Sequence, residues 1–368
     1  HDLMSGVMTD RVCEDTIRGF DFSRRLALEE VGTRLRSYAA QIDTLGEGAA
    51  TGREGIPVVV FNQLGWTRTD IAFANVAFTD EGVTGVQLLD PDGKPVPVQL
   101  VRDERDGNGA LLRVEIAFVA RDVPALGHCV YRLLPVTSAE ASGEAAPTQQ
   151  DAAVLENEHY QVRLDATGAI TSLVVKSGGW DALRKPGNIV AREEDHGDLW
   201  EPYRPLDGGS RIAMKEPHGV PQAGEAVFSH EQTGEPGCLT TGPVFSEFAV
   251  AHSFGDKGSF STRVRVCAGL RRVEVHTQLL NNDEFVRYRA LFPTSIESGR
   301  GVHEIPFGAM ERPLGIEFPA QNWVDYGDGE RGVALLNRGL PGNNVADGTM
   351  LLSHKLGILP LDEARANE

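Results

Sequence analysis

The sequence predicts a mainly β protein: one long N-terminal helix, then a small antiparallel β-sandwich, then a large β-sandwich. Three observations carry this. Glycine (41) and proline (20) are frequent in the 368 residues, which implies many turns and a β-rich architecture. Short apolar runs such as Val333-Ala334-Leu335-Leu336 stand between clusters of Gly, Pro, Asn and Asp, the pattern of strands bounded by turns. Near the N-terminus the apolar spacing changes to threes and fours, at Leu28, Val31, Leu35, Tyr38, Ile42 and Leu45, which places them on one helical stripe. The chain divides accordingly into a helical segment (1–52), a small sandwich (53–136), a linker (137–153), a large sandwich (154–356) and a tail (357–368).

The helix is expected from about Thr9 to Leu45, ended by Gly46 and Gly48, since glycine commonly terminates helices. At ~1.5 Å per residue it would be about 55 Å long. A rod of that length with a single apolar stripe wants neighbouring helices, and the residues before Ser23 could supply only one shorter one. The segment therefore reads as the remnant of a helical bundle. The chain opens His1-Asp2-Leu3 with no initiator Met and is expected to be part of something longer.

Thr44 to Gly55 is a Gly-, Ala- and Glu-rich linker. Ile56 to Asn62 opens the first strand, with Asn62 expected to cap a turn and Trp66 to anchor the core. Val86 to Leu89 and Val96 to Leu100 form a hairpin about Asp92-Gly93, a strong turn signal. Leu111 to Val119 and His128 to Leu134 are two further strands, with His128 and Cys129 assigned to packing. After the low-complexity stretch 135–153, Tyr160, Val162 and Leu164 alternate on one face of a hairpin that returns through Thr167-Gly168. Met350-Leu351-Leu352 is the last clear strand.

Composition limits the function classes. Apolar residues make up 41% and the net charge is −18. A sizeable core is affordable, and phosphate backbones and anionic lipid are repelled, so neither nucleic-acid nor membrane partners are expected. No apolar run has the length of a membrane span. Cys13, Cys129, Cys238 and Cys267 are widely spaced without a CxxC pair. They read as reduced thiols of a cytoplasmic protein, although the even count formally permits disulfides. HExxH, GxSxG and P-loop patterns do not occur.

Candidate chemistry gathers in two places. Arg287, Arg289, Glu304, Trp323, Asp325 and Tyr326 lie within residues 287–348. Planar, charged and aromatic side chains on loops of a rigid β scaffold are typical of sugar-binding surfaces; the other reading is that they close the edges of a large sheet. The acidic run Glu193 to Glu201 holds several carboxylates with His196 and Trp200. A run of this kind in so acidic a chain is more often a solvated loop than a site.

Several motifs in order resemble one family. Phe292-Pro293-Thr294, Glu304-Ile305-Pro306-Phe307-Gly308, Glu311-Arg312-Pro313, Pro319-Ala320-Gln321-x-Trp323-x-Asp325 and Leu336-Asn337-Arg338-Gly339-Leu340 resemble the C-terminal β domain of glycoside hydrolase family 38, the α-mannosidases. Phe61-Asn62-x-Leu64-x-Trp66-x-Arg68 and Glu156-Asn157-x-x-Tyr160-x-Val162 are similar to the entries of that family's small and large β domains. The resemblance implies a metal-assisted, retaining hydrolysis of terminal α-mannosides by the complete enzyme. It implies His1 as a ligand of a catalytic Zn2+, with Asp2, Asp198, Trp200 and Arg289 approaching the α-mannoside or oligosaccharide. It also implies that the nucleophile and the other zinc ligands lie in an N-terminal α/β domain with no counterpart here. No catalytic residue is therefore assigned to this chain, which alone is expected to be inactive and to retain little zinc. A non-catalytic carbohydrate-binding or scaffold module is the alternative. Self-association into a homo-oligomer is left open by the sequence.

Overall fold

The computed structural model describes residues 8–44, 55–79, 82–137, 147–194, 226–232, 234–255, 258–284, 286–315, 317–337 and 340–353. They form one helix and a succession of antiparallel sheets, arranged in two compact units, 1–142 and 143–368.

Helix α1 (Asp10–Ala39) stops short of the expected Leu45. The reason is local. Gln41 and Ile42 donate their amides to Tyr38 and Ala39, tightening the last turn, and the Gln41 side chain caps the Ser37 carbonyl at 3.0 Å. Gly46 and Gly48 lie outside the described residues. No residue of α1 is buried, and Val31, Leu35 and Tyr38 are exposed. Its ion pairs, such as Arg34–Glu30 at 2.6 Å, are surface i,i+4 contacts worth only a few tenths of a kcal/mol.

The first unit holds β1 (Ile56–Phe61), β2 (Arg68–Ala77), β3 (Gly85–Leu89), β4 (Pro95–Val96), β5 (Gln99–Arg105), β6 (Leu111–Val123) and β7 (His128–Val136). Sheets of order β1-β7-β3-β4 and β2-β6-β5 enclose Leu88, Val114, Ile116, Phe118, Tyr131 and Leu133. The hairpin read from the sequence is present but shorter than expected: Leu88 and Leu89 of β3 pair with Val96 and Pro95 of β4, while Gln99 and Leu100 pair with β6 in the other sheet. Asp90 accepts the amides of Asp92 and Lys94, and Gly93 takes φ +82°, where a side chain would be strained. Pro97, lacking an N–H, lies where the chain leaves one sheet for the other. Asn62 does hold a turn: its amide nitrogen donates to the carbonyls of Trp66, Val123 and Pro124, and its oxygen accepts the Leu64 amide. Trp66 does not anchor the core. It is 62% exposed, because the turn that Asn62 closes takes Trp66 by its carbonyl and leaves the indole outside.

The second unit continues with β8 (Thr148–Gln150), β9 (Ala153–Glu156), β10 (Tyr160–Leu164), β11 (Ile170–Val175), β12 (Trp180–Asp181), β13 (Ile189–Glu194), β14 (Ala226–Phe228), β15 (Gly237–Thr241), β16 (Phe245–Phe254), β17 (Gly258–Cys267), β18 (Val273–Leu280), β19 (Val286–Pro293), β20 (Arg300–Ile305), β21 (Gly308–Arg312), β22 (Phe318–Pro319), β23 (Trp323–Gly327), β24 (Gly332–Leu336), β25 (Gly342–Ala346) and β26 (Thr349–Ser353). The sheet orders are β12-β11-β10-β9, β14-β13-β19-β26-β25-β22, β18-β17-β16-β15-β8 and β21-β20-β23-β24. Phe248, Phe254, Phe260 and Val264 of the five-stranded sheet pack on Leu155, Val162, Leu164 and Tyr288. A second core joins Val324 and Tyr326 of β23 to Ile296, Ala320, Val345 and Met350. At the β10–β11 turn Asp165 accepts the amides of Thr167 and Ala169, and Gly168 has φ +79°.

Candidate functional site

Strand β19 lies inside the six-stranded sheet, and Arg287, Tyr288 and Arg289 are all buried. The two arginines alternate with Tyr288 and so share a face. Opposite them, Glu193 pairs in register with Arg287, and Ala191 with Arg289. The Glu193 carboxylate accepts from the Arg289 guanidinium, and stands 3.4 Å from Arg287 Nη2. Arg287 Nη1 reaches Glu317 at 3.4 Å. The four side chains are 1% (both arginines), 7% and 3% exposed, so two guanidinium and two carboxylate charges balance out of reach of water. Arg192 adds a pair with Asp283 at 2.9 Å on the neighbouring position. Strand β13, which carries Glu193, leads directly into the acidic segment singled out in the sequence.

Of the sequence-predicted site residues, Arg289 is thus a clamped, buried cation rather than a loop side chain. His1, Asp2, Asp198 and Trp200 lie outside the described residues. Glu304 is occupied structurally: its carboxylate accepts the Gln321 and Asn322 amides at 2.7 and 3.1 Å. Tyr326 is a core residue whose hydroxyl accepts the Gly299 amide at 3.0 Å. Trp323 and Asp325 alternate with the buried Val324 and Tyr326 and so lie on the outer face of β23. Burial without a compensating charge pushes the Asp325 carboxyl above its usual range. Glu317 was missed by sequence reasoning, because nothing near it in the chain marks it as the partner of a residue 30 positions away.

Asn157 and Asn337, from two of the quoted motifs, and the nearby Asn343 prove to be joints. Asn157 donates to the Cys267 and Leu270 carbonyls and accepts the His159 and Tyr160 amides. Asn343 donates to the Ala320 and Pro341 carbonyls at 3.1 and 2.9 Å, and Asn337 to Ala320 at 3.3 Å. Buried amides of this kind replace backbone ladders where strands end.

A divalent metal does not fit the described residues. Among them no three His, Cys, Asp or Glu side chains converge as a metal ion requires. His303, buried on β20, has its pKa lowered to about 4 by burial first and by the Arg312 charge second, but no carboxylate or thiol joins it in a ligand set. The four cysteines are free. Among the described residues no helix is long and apolar enough to cross a membrane.

Residues 155–355 match the family model of the glycosyl hydrolases family 38 C-terminal domain. The chain is 23% identical over 371 residues to the mouse alpha-mannosidase 2C1 and 24% identical over 369 residues to the human one, in both cases over 96% of this chain. It spans 30% of the length of each of these relatives. Two structures from Enterococcus faecalis share the fold. One is of a protein in glycosyl hydrolase family 38 (TM-score 0.72, 17% identity, 100% of this chain, 49% of that one). The other is an alpha-mannosidase (TM-score 0.68, 16% identity, 97% of this chain, 46% of that one).

Proposed function

The chain belongs to glycosyl hydrolase family 38, matching that family's C-terminal domain across residues 155–355, and on that premise we propose that it is the C-terminal β portion of an α-mannosidase. The observation that carries the reading is this match, together with the alignment to two alpha-mannosidases over nearly the whole chain. In this reading the complete enzyme hydrolyses terminal α-mannosides with retention of configuration. One carboxylate attacks the anomeric carbon, and a second carboxyl serves as acid, then base. Neither carboxylate is assigned to these 368 residues. In this reading the nucleophile belongs to the part of the relatives' length that these 368 residues do not span.

The chain's own contribution is a wall for the sugar. Asp2, Asp198 and Trp200 would approach the mannoside, and His1 the metal. Among the site residues that the resemblance implies, only Arg289 lies in the described part: its side chain is 1% exposed and paired with Glu193, so in this reading it would act by holding β13 in place rather than by touching the sugar. Family members are generally metal-dependent. Zinc is our assignment for the complete enzyme, with its ligand set outside the described residues. Free thiols support a reducing, cytoplasmic compartment.

The test is hydrolysis of p-nitrophenyl α-mannoside by the 368-residue chain and by the longer gene product, each with and without added zinc. Activity in the longer product that a chelator removes, with none in the short chain, is expected. A longer product that leaves α-mannosides untouched when metal is supplied would reject the substrate, and would favour a non-catalytic carbohydrate-binding or scaffold module.

A further inference from the structure

The sheet β21-β20-β23-β24 has two faces of different character. Its inner face carries His303, Val324 and Tyr326 into the core. On its outer face, cross-strand pairing sets Glu311, Val302, Asp325 and Ala334 in one row, because Val302 pairs with Glu311 and Asp325, and Asp325 with Ala334. Arg300, Gly327 and Gly332 form the next row. Over these rows lies a cleft of about 410 Å3, within the ~300–1,000 Å3 of small-molecule sites. Arg300, Glu311, Asp325, Arg331 and Gly332 line it.

Asp325 is the informative residue. It is half-buried, and among the described residues no donor or cation meets its carboxylate. The nearby cations are otherwise placed: Arg331 lies over the Trp180 ring at 5.3 Å, and Arg300 stands 3.7 Å from Glu311. Gly332 keeps the approach open, since a Cβ there would stand 3.7 Å from Asp325 Oδ1. Trp323 does not line the cleft itself but lies beside it, two residues along the same strand and face, about 7 Å from Asp325 at ~3.3 Å per residue and opposite the exposed Leu336.

An acceptor without a donor, guanidinium donors beside it and an aromatic plane one sugar ring away suit a ligand that has hydroxyls on its edge and an apolar face. A simple anion is disfavoured, because three carboxylates (Glu311, Asp325, Glu330) outnumber two arginines around the cleft. A metal is disfavoured, because these carboxylates do not converge. We propose that this face binds a neutral pyranoside, with Trp323 stacking on the ring, Asp325 accepting from its hydroxyls and Arg331 donating to them. This site assignment goes beyond the α-mannosidase reading and does not depend on turnover.

The experiment measures binding directly, by saturation-transfer NMR and calorimetry on the 368-residue chain. The probes are four neutral disaccharides (mannobiose, maltose, cellobiose and xylobiose), with inorganic phosphate and trilysine as charged controls. At least one disaccharide is expected to bind in preference to both controls. Asp325→Ala and Trp323→Ala are each expected to weaken it about tenfold or more, the loss of a charge-assisted hydrogen bond or a stacking contact. Ala334→Arg places a guanidinium directly across from Asp325 and should abolish binding without lowering the melting temperature, which separates occlusion of the cleft from unfolding. Binding of no disaccharide, preference for phosphate or trilysine, or binding that survives Ala334→Arg would each overturn the assignment. None of these outcomes depends on whether α-mannosides are cleaved.

Discussion

Glu193→Gln removes one charge from the buried cluster and almost no volume. Arg289 and Arg287 both face Glu193 with side chains 1% exposed, so water cannot take its place. At an effective dielectric of ~20, a guanidinium–carboxylate pair separated by the 3.4 Å found for Arg287 is attracted by about 5 kcal/mol. Breaking buried pairs costs about 3–5 kcal/mol in practice. Glu317 still offsets Arg287, so the residual charge falls on Arg289 and the loss should be about 3–4 kcal/mol. For a unit of this size each kcal/mol is worth roughly 2–4 °C, giving a fall of about 10 °C in the melting temperature. The assay is urea denaturation followed by circular dichroism, run as a double-mutant cycle with Arg289→Met. The double variant should recover more than half of the loss, because removing both charges leaves neither one stranded. A single variant within ~1 kcal/mol of the parent, or a double variant as unstable as the sum of the singles, would refute the claim that these charges are desolvated and mutually compensating.

His303 gives a pH dependence. Its folded pKa is about 4 against 6.5, so the unfolded chain takes the proton first, and the His303 contribution is complete above pH 6.5 and lost as pH falls toward 4. On the order of 2 kcal/mol should disappear between pH 6.5 and 5, and urea midpoints of His303→Leu should fall less over that range. Asn62→Ala removes a side chain bonded to three carbonyls and one amide, and should cost about 2–3 kcal/mol in the same denaturation assay. Gly168→Ala would set a Cβ 2.5 Å from Thr262 Cγ2 and 2.7 Å from Val250 Cγ2 at φ +79°, and should lower stability by about 2–3 kcal/mol.

Which parts of the molecule were legible follows from the range of the interactions that decide them. Asp92-Gly93 and Asp165 to Gly168 specify turns through contacts two to four residues long, so their hairpins could be read directly. The alternation of Tyr160, Val162 and Leu164 carried the face of β10 for the same reason. Arg287 and Arg289 could not be placed this way. Their partner Glu193 lies 94 and 96 residues away, and arginines near Gly- and Pro-rich sequence are ordinarily solvated. Trp66 misled for a related reason: the usual burial of tryptophan was overridden by the turn that Asn62 closes. The sequence grouped Trp323, Asp325 and Tyr326 as one surface, but alternation along β23 puts Tyr326 in the core and Trp323 and Asp325 on the other face.

Why β13 and β19 keep three buried charges, with Glu317 as the fourth from outside the two strands, where apolar side chains would pack without desolvation is answered by register. The apolar residues on the two strands, Ile189, Val190 and Ala191 against Ala290 and Leu291, would tolerate a slide of two residues, which preserves the facing of every side chain. Such a slide would move Glu193 away from the position opposite Arg287 and strand buried charges, at a cost of several kcal/mol. A slide of β13 by one residue would turn Glu193 to the face away from Arg287 and Arg289. The cluster therefore adds little to net stability while excluding the neighbouring registers, and it fixes the point at which β13 delivers the chain to Asp198 and Trp200. If that is its role, an apolar replacement of both Glu193 and Arg289 should leave a protein of near-parental stability in urea denaturation, and its defect should appear as a β13–β19 register that is no longer single by amide NMR.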